Sequence, residues 1–132
     1  MDYTLRETVR LQHKSSSYTM RPSDIGTLFL NTGASGAVVL TTPKFTEIWD
    51  GWNVTVFCSV DQSLTVTSGD ADTICAFNDV AADSVGFATA SKKVGGAFTV
   101  IADVTNSKWY AISHIYNTAT DGTTLNLVTV ST

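Results

Sequence analysis

The run from residue 53 to residue 60 constrains the chain more than any other feature. Val54, Val56, Cys58 and Val60 alternate with Asn53, Thr55, Phe57 and Ser59. A period of two places the first set on one face of an extended strand and the second set on the other. No stretch of ten or more residues carries a helical period, and turn residues break the chain every few positions. That pattern excludes strands alternating with long helices, and with them an open nucleotide-binding α/β sheet.

Similar short runs recur on either side. Residues 27–31 form one, closed by the cluster Asn31, Thr32, Gly33, Ala34, Ser35 and Gly36. Residues 37–40 form the next, and Pro43 stops it because proline cannot donate to a ladder. Phe45, Ile48, Trp49 and Trp52 crowd around Gly51, as either one helical turn or an irregular loop. Asp61 and Gln62 read as a tight turn that folds 53–60 and 63–67 into a hairpin. Further strands are expected at 73–77, 85–89, 97–102, 108–113 and 123–130, with a loop over 79–83. Eight or nine short strands at regular spacing suggest an all-β fold, an antiparallel β-sandwich of jelly-roll-like form over residues 25–132. Composition agrees: threonine is the commonest residue, followed by valine and serine, and β-branched side chains favour pleated sheets.

Residues 1–24 lack any sustained period and read as an extended N-terminal arm that orders on a partner, or as a frayed terminus. The charge is divided in the same way. Arg6, Arg10, Lys14 and Arg21 against Asp2 and Glu7 give residues 1–21 a balance of +2, so the rest carries -6 of the total -4. An acidic body excludes a general nucleic-acid binder, which needs a basic face. At 43% hydrophobic residues and so small a net charge, intrinsic disorder is excluded as well. No apolar run approaches the roughly 18–20 residues of a membrane span, so no membrane partner is expected. The first residues are charged and polar, which does not suit a secretory signal.

Few residues carry a recognisable chemistry. Cys58 and Cys75 read as buried free thiols, since no oxidising compartment is indicated. His13 and His114 lie in unrelated places and supply no metal set. Asp103, Ser113 and His114 could be drawn into a triad, but no G-x-S-x-G elbow supports one, and His114 reads as a strand-end surface or interface residue. Asp70 and Asp72 resemble part of a calcium loop but lack its later acidic ligands and central glycine, so turn chemistry explains them better. P-loop, dinucleotide and Cys-x-x-Cys motifs are missing from the sequence. The expectation is a non-enzyme without cofactor or metal.

The aromatics point outward as well as inward. Trp109 and Tyr110 are adjacent in one strand, so one ring faces the core and the other does not. Phe57 has the parity opposite to Val54 and Val56. Phe57, Trp109 and Tyr110 are therefore the candidates for self-association.

The order of these pieces resembles a known group of proteins. It runs from Thr27-Leu28-Phe29-Leu30-Asn31 through a glycine-rich turn to Ala37-Val38-Val39-Leu40-Thr41-Thr42-Pro43, then Gly51-Trp52, the strand 54–60 and Leu64-Thr65-Val66. Gly69-Asp70-Ala71-Asp72-Thr73-Ile74 follows, then the run 96–103 and Asn106-Ser107-Lys108-Trp109-Tyr110. This is similar to small β-domains of tailed-bacteriophage virion proteins, both capsid decoration (cement) proteins and tail fibre or spike modules. The resemblance covers residues 25–113 and is one of strands and turns, with no catalytic signature. The turn departs from the pattern in having Asp72-Thr73 inserted before Ile74.

The resemblance implies a structural role on the outer capsid surface of a virion made in the host cytoplasm. The expected partner is the major capsid protein, bound as a homo-oligomer, a dimer or trimer. A chain of 132 residues with its own Met1 suits a decoration protein better than a fibre module. Arg6, Arg10, Lys14 and Arg21 are then the candidate capsid contacts. The alternative is a tail fibre or spike subunit that binds the host surface. A third reading is a carbohydrate-binding module with Trp49 and Trp52 as its stacking platform, and a hydrolase is a distant fourth.

Overall fold

The computed structural model describes residues 9–88, 93–114 and 128–131. Within them the chain is all-β, with twelve strands and two single 3-10 turns, Pro22–Asp24 and Phe45–Glu47. In chain order the strands are β1 (Arg10–His13), β2 (Tyr18–Thr19), β3 (Thr27–Leu30), β4 (Val38–Thr41), β5 (Asn53–Phe57) and β6 (Leu64–Thr67). Then come β7 (Ile74–Ala76), β8 (Asp79–Ala82), β9 (Ser84–Phe87), β10 (Ala97–Asp103), β11 (Lys108–Ser113) and β12 (Val128–Ser131). They form a seven-stranded sheet in the order β1-β3-β5-β10-β11-β7-β8 and a five-stranded sheet in the order β12-β9-β6-β4-β2. Among the described residues no helix is long and apolar enough to cross a membrane.

The first six strands alternate strictly between the sheets. Odd-numbered strands enter the first sheet and even-numbered strands the second, so residues 10–67 wind through three successive turns. Winding makes neighbours parallel: β1–β3, β3–β5, β2–β4 and β4–β6 all pair that way, as does β11–β7. The expected purely antiparallel pairing is thus corrected to mixed sheets. A parallel neighbour needs a crossover connection. Here each crossover contains a strand of the opposite sheet.

The expected 53–60/63–67 hairpin is corrected by the same observation. β5 pairs with β3 and β10 in the first sheet, whereas β6 pairs with β4 and β9 in the second. The reason lies at the corner between them. The ladder ends with Cys58 N–H bonding to Gly96 O and Gly95 N–H to Cys58 O, both at 2.8 Å. Asn31, fully buried at the end of β3, then takes the chain around. Its Oδ1 accepts the N–H groups of Ser59 (2.8 Å) and Val60 (3.3 Å). Its Nδ2 donates to the carbonyls of Val60 (3.4 Å) and Gln62 (3.3 Å). The corner's backbone groups, which a hairpin would have paired across its own turn, are satisfied by a side chain from the previous turn of the winding.

Residues 9–24 of the expected arm are stitched into both sheets. β1 is an edge of the first sheet and β2 an edge of the second, and Met20 between β2 and β3 joins the core. Asp24, 5% exposed, ties this segment together. Its carboxylate accepts from the Tyr18 hydroxyl (2.7 Å), the Arg21 N–H (2.8 Å) and the Gln12 amide (3.2 Å). Burial alone would raise its pKa, but these three donors and the Lys14 charge hold it below the ordinary aspartate value.

Inward side chains of both sheets share one hydrophobic cluster, including Phe29, Leu40, Val54, Val56, Leu64, Val66, Val85 and Val100. Burying each contributes on the order of 1.5–3 kcal/mol before entropy is counted. Trp109 is its aromatic centre, stacked on Phe45 (centroids 5.5 Å) and edge-on to Trp52 (5.8 Å). The Trp52 Nε1 donates to Pro22 O at 2.9 Å, tying the second return of the winding to the first.

Two smaller differences from the sequence reading have local causes. Residues 79–82 form β8 where a loop is expected. Phe77 and Asn78 both have positive φ, 49° and 70°, which is the turn geometry that reverses β7 into β8. The Asp79 carboxylate accepts the Ala81 N–H, so the residue that looks like a strand breaker braces the edge. The crowded aromatic segment around residues 45–52 is one 3-10 turn followed by a loop.

Candidate interaction surfaces

Three of the four basic residues expected to grip a capsid border the segment 18–25. Arg6 lies outside the described residues. Arg10, at the start of β1, donates from its guanidinium to Ile25 O at 2.8 Å. Lys14, just past the other end of β1, sits over the Tyr18 ring at 3.6 Å from the centroid. Arg21 is exposed beside the 3-10 turn, close enough to Tyr18 for its charge to act on the phenol. Four residues of strand put Arg10 and Lys14 about 13 Å apart along the sheet. All three cations nonetheless border residues 18–25, Lys14 and Arg21 beside Tyr18 and Asp24, and Arg10 at Ile25.

The self-association candidates divide. Trp109 is wholly buried and presents nothing to a surface. Phe57 and Tyr110 do face outward, on β5 and β11 of the first sheet. Pairing register shows what surrounds them. One row across the sheet is Leu11, Leu28, Thr55, Thr99 and Ile112. The next is His13, Leu30, Phe57 and Ala97, with His114 beyond β11 bonded to Ala97 O. Asn53, Ile101, Tyr110 and Cys75 make a third. His13 and His114 thus stand four strand steps apart, about 19 Å, too far to share an ion.

Several polar groups on this face have partners close at hand. Thr55 and Thr99 hydroxyls bond at 2.9 Å, and Thr99 Oγ1 meets His114 Nε2 at 2.8 Å. The Tyr110 hydroxyl donates to Asp103 Oδ2 at 2.7 Å, and Asn106 supplies two more donors to the same carboxylate. Asn106 first, then Tyr110, hold Asp103 below its usual pKa, while Asp103 pushes the Tyr110 phenol up. Lys108 turns its ammonium onto Val80 O. A surface whose polar groups are already paired loses little when water leaves it.

The outer face of the second sheet is different. Thr19, Thr41, Thr67, Ser84 and Ser131 are directly paired in one row, so a line of hydroxyl residues crosses all five strands. Val39 and Thr65 lie in the adjacent row. One broad face of the protein is mainly apolar and the other hydroxylated.

The sites of possible covalent chemistry resolve into structural roles. His114 bonds to Thr99, and Asp103 to Asn106 and Tyr110, so Asp103, Ser113 and His114 form no relay. Asp70 Oδ2 accepts the Phe45 N–H at 2.8 Å, holding the 3-10 turn, and Asp72 N–H bonds to the Asp83 carboxylate. Asp50, absent from the sequence reading, accepts from the Thr105 hydroxyl and N–H and from the Val104 N–H. The Thr105 hydroxyl leads the bonds that lower its pKa. No spacing links Asp50 to Thr105 in the sequence. Both cysteines are free; Cys58 is buried, with its pKa pushed up by desolvation, and Cys75 is half-exposed. Among the described residues no group of three His, Cys, Asp or Glu side chains is placed to hold a metal. Trp52 belongs to the core and Trp49 is 55% exposed, so the two do not form a stacking platform.

No protein-family model matches the chain, and no curated protein is significantly similar to it.

Proposed function

We propose that this protein is a non-enzymatic structural component of a bacteriophage virion. In this reading it coats the outer capsid surface as a homo-oligomer and stabilises it by binding the lattice of the major capsid protein. The two sheets would then pack face to face as a small sandwich, in which the parallel pairs of the winding depart from a strict jelly roll. The observation that carries the reading is the pair of broad faces built from short or apolar side chains, with several polar groups of the first face bonded in place. Such faces suit repeated shallow contacts on a lattice, where avidity replaces a deep single site. The resemblance of the strand-and-turn order to phage virion β-domains suggests the partner.

The winding determines the test. Deleting residues 2–21 would remove both edge strands and Met20, so a truncation aimed at contacts alone stops at residue 8. Heads assembled from the major capsid protein of the same genome, free of this chain, are mixed with the purified protein and sedimented. Saturable co-sedimentation, with heads that resist heating better, is expected. Charge reversal at Arg10 and Arg21 should weaken binding with the fold intact. Full-length protein that stays in the supernatant at micromolar concentration refutes the reading. The exposed Trp49 is the one observation favouring a glycan-binding fibre, and Trp49-dependent binding to host surface glycans would put that reading first.

A further inference from the structure

We infer that the outer face of the seven-stranded sheet is an isologous contact surface for a second copy of this chain. The inference rests on the self-association half of the proposed function and not on its capsid half. Three observations carry it.

The first is charge. Among the outward side chains of β1, β3, β5, β10, β11 and β7, the formal charges are Asp103 and Lys108, which oppose each other across β10–β11. The face is neutral within a chain of net charge -4. Two copies of an acidic protein repel through most of their surfaces. This face lets them meet without that repulsion; the described outer face of the second sheet carries no formal charge either, and it is the apolar side chains of the first face that set it apart.

The second is size. The fourteen outward positions of the three rows, each about 4.8 by 6.8 Å, give roughly 450 Å² in plan. Side-chain relief brings the accessible area toward the roughly 800 Å² per partner of stable complexes. The exposed Leu11 (54%), Tyr110 (38%) and Ile112 (49%) are spread across that width.

The third is readiness to dehydrate. The Thr55–Thr99–His114 and Tyr110–Asp103–Asn106 sets bond their polar atoms to one another, so these groups need not find new partners when water leaves. The hydroxyl row of the second sheet provides the built-in contrast. A two-fold axis through the first face buries the same residues from both copies.

Sedimentation equilibrium of the full chain from micromolar to sub-millimolar concentration tests this. Wild type is expected to dimerise. Ile112→Lys should raise the dimer dissociation constant at least ~100-fold, because two-fold symmetry introduces each desolvated lysine twice. Leu11→Lys, at the exposed edge, gives the same readout if Ile112→Lys fails to fold. Thr67→Lys on the second sheet should leave the dimer unchanged. A monomeric wild type, a dimer indifferent to both first-face variants, or one dissolved by Thr67→Lys overturns the inference. The capsid reading is scored separately: a monomeric variant that still coats heads leaves that reading intact, and a dimer that ignores heads leaves this one intact.

Discussion

Asn31 offers the sharpest test of why the chain winds between sheets. Asn31→Ala removes the acceptor of two backbone donors, Ser59 N–H at 2.8 Å and Val60 N–H at 3.3 Å. The carbonyls of Val60 and Gln62 sit on half-exposed residues and can turn to water, so the two donors dominate the cost. Taking about 1.5–2 kcal/mol for the short bond and about 0.5–1 for the long one gives a loss of ~2–3 kcal/mol. For a domain of this length that is a fall of roughly 8–10 °C in Tm. Asn31→Asp keeps the shape but puts a carboxylate oxygen where Nδ2 now faces the Val60 and Gln62 carbonyls. That carboxyl should have a folded pKa above its unfolded value of about 3.9, since protonation restores a donor and removes a buried charge. Its deficit is therefore smallest at low pH and grows as pH rises, whereas that of Asn31→Ala stays flat. Urea unfolding followed by tryptophan fluorescence at about pH 4.5 and pH 7 reads both, with the exposed Ser35→Ala as a control expected to change little. An Asn31→Ala protein within ~0.5 kcal/mol of wild type, or an Asn31→Asp deficit that grows on acidification, would refute the claim that this side chain makes the corner.

Three further outcomes follow from the same physics. Asp24 has a depressed folded pKa, so its contribution is present above the ordinary carboxylate range and lost as pH falls through the folded value. Asp24→Ala should cost about 2–3 kcal/mol near neutrality and shrink the acid-induced loss of stability, as read by unfolding from about pH 7 down to pH 3. Trp52→Phe breaks a bond to Pro22 O, whereas Trp109→Phe removes a buried indole N–H that has no acceptor. Trp52→Phe should therefore be worse by about 1–2 kcal/mol, measured as a difference in denaturation midpoints at equal m-value. A Cβ at Gly86 would lie 2.4 Å from Leu64 O and 2.7 Å from Thr65 Cα, so Gly86→Ala must push β9 from β6. A loss above ~2 kcal/mol, with faster amide exchange in β6 and β9, is the expected result.

Most of the strands were legible because alternation is a local signal. Val54 and Val56 face inward as their period requires, Trp109 and Tyr110 point in opposite directions, and β11 spans the residues that its aromatic run marks out. What alternation does not encode is the sheet to which a strand belongs. Asp61 and Gln62 have the composition of a tight turn, and nothing in 53–67 reveals that Asn31, twenty-eight residues before Ser59, competes for the corner. Nor does parity identify the inner face when both sets are apolar or both polar. In β3 the buried residues are Thr27 and Phe29 and the outward ones Leu28 and Leu30, so hydrophobicity alone would set that strand facing the wrong way. β1 and β2 were missed because strands of four and two residues at sheet edges carry too few apolar positions to show a period.

The winding also explains how a threonine-rich chain acquires two unlike surfaces. Consecutive strands go to opposite sheets, so each outer face is written in every other strand. β1, β3 and β5 place Leu11, Leu28, Leu30 and Phe57 outside the first sheet. The intervening β2, β4 and β6 place Thr19, Thr41, Thr65 and Thr67 outside the second. Averaged along the chain, the two sets blur into one mildly apolar, hydroxyl-rich composition. Sorted by strand parity, they separate into a face that sheds water easily and a face that holds it. A hairpin meander with the same strands would put consecutive runs side by side and mix leucine with threonine on both surfaces. The crossover at Asn31 is therefore more than a stability device, because it keeps β5 with the leucine face and β6 with the threonine face, and the proposed dimer contact requires that separation.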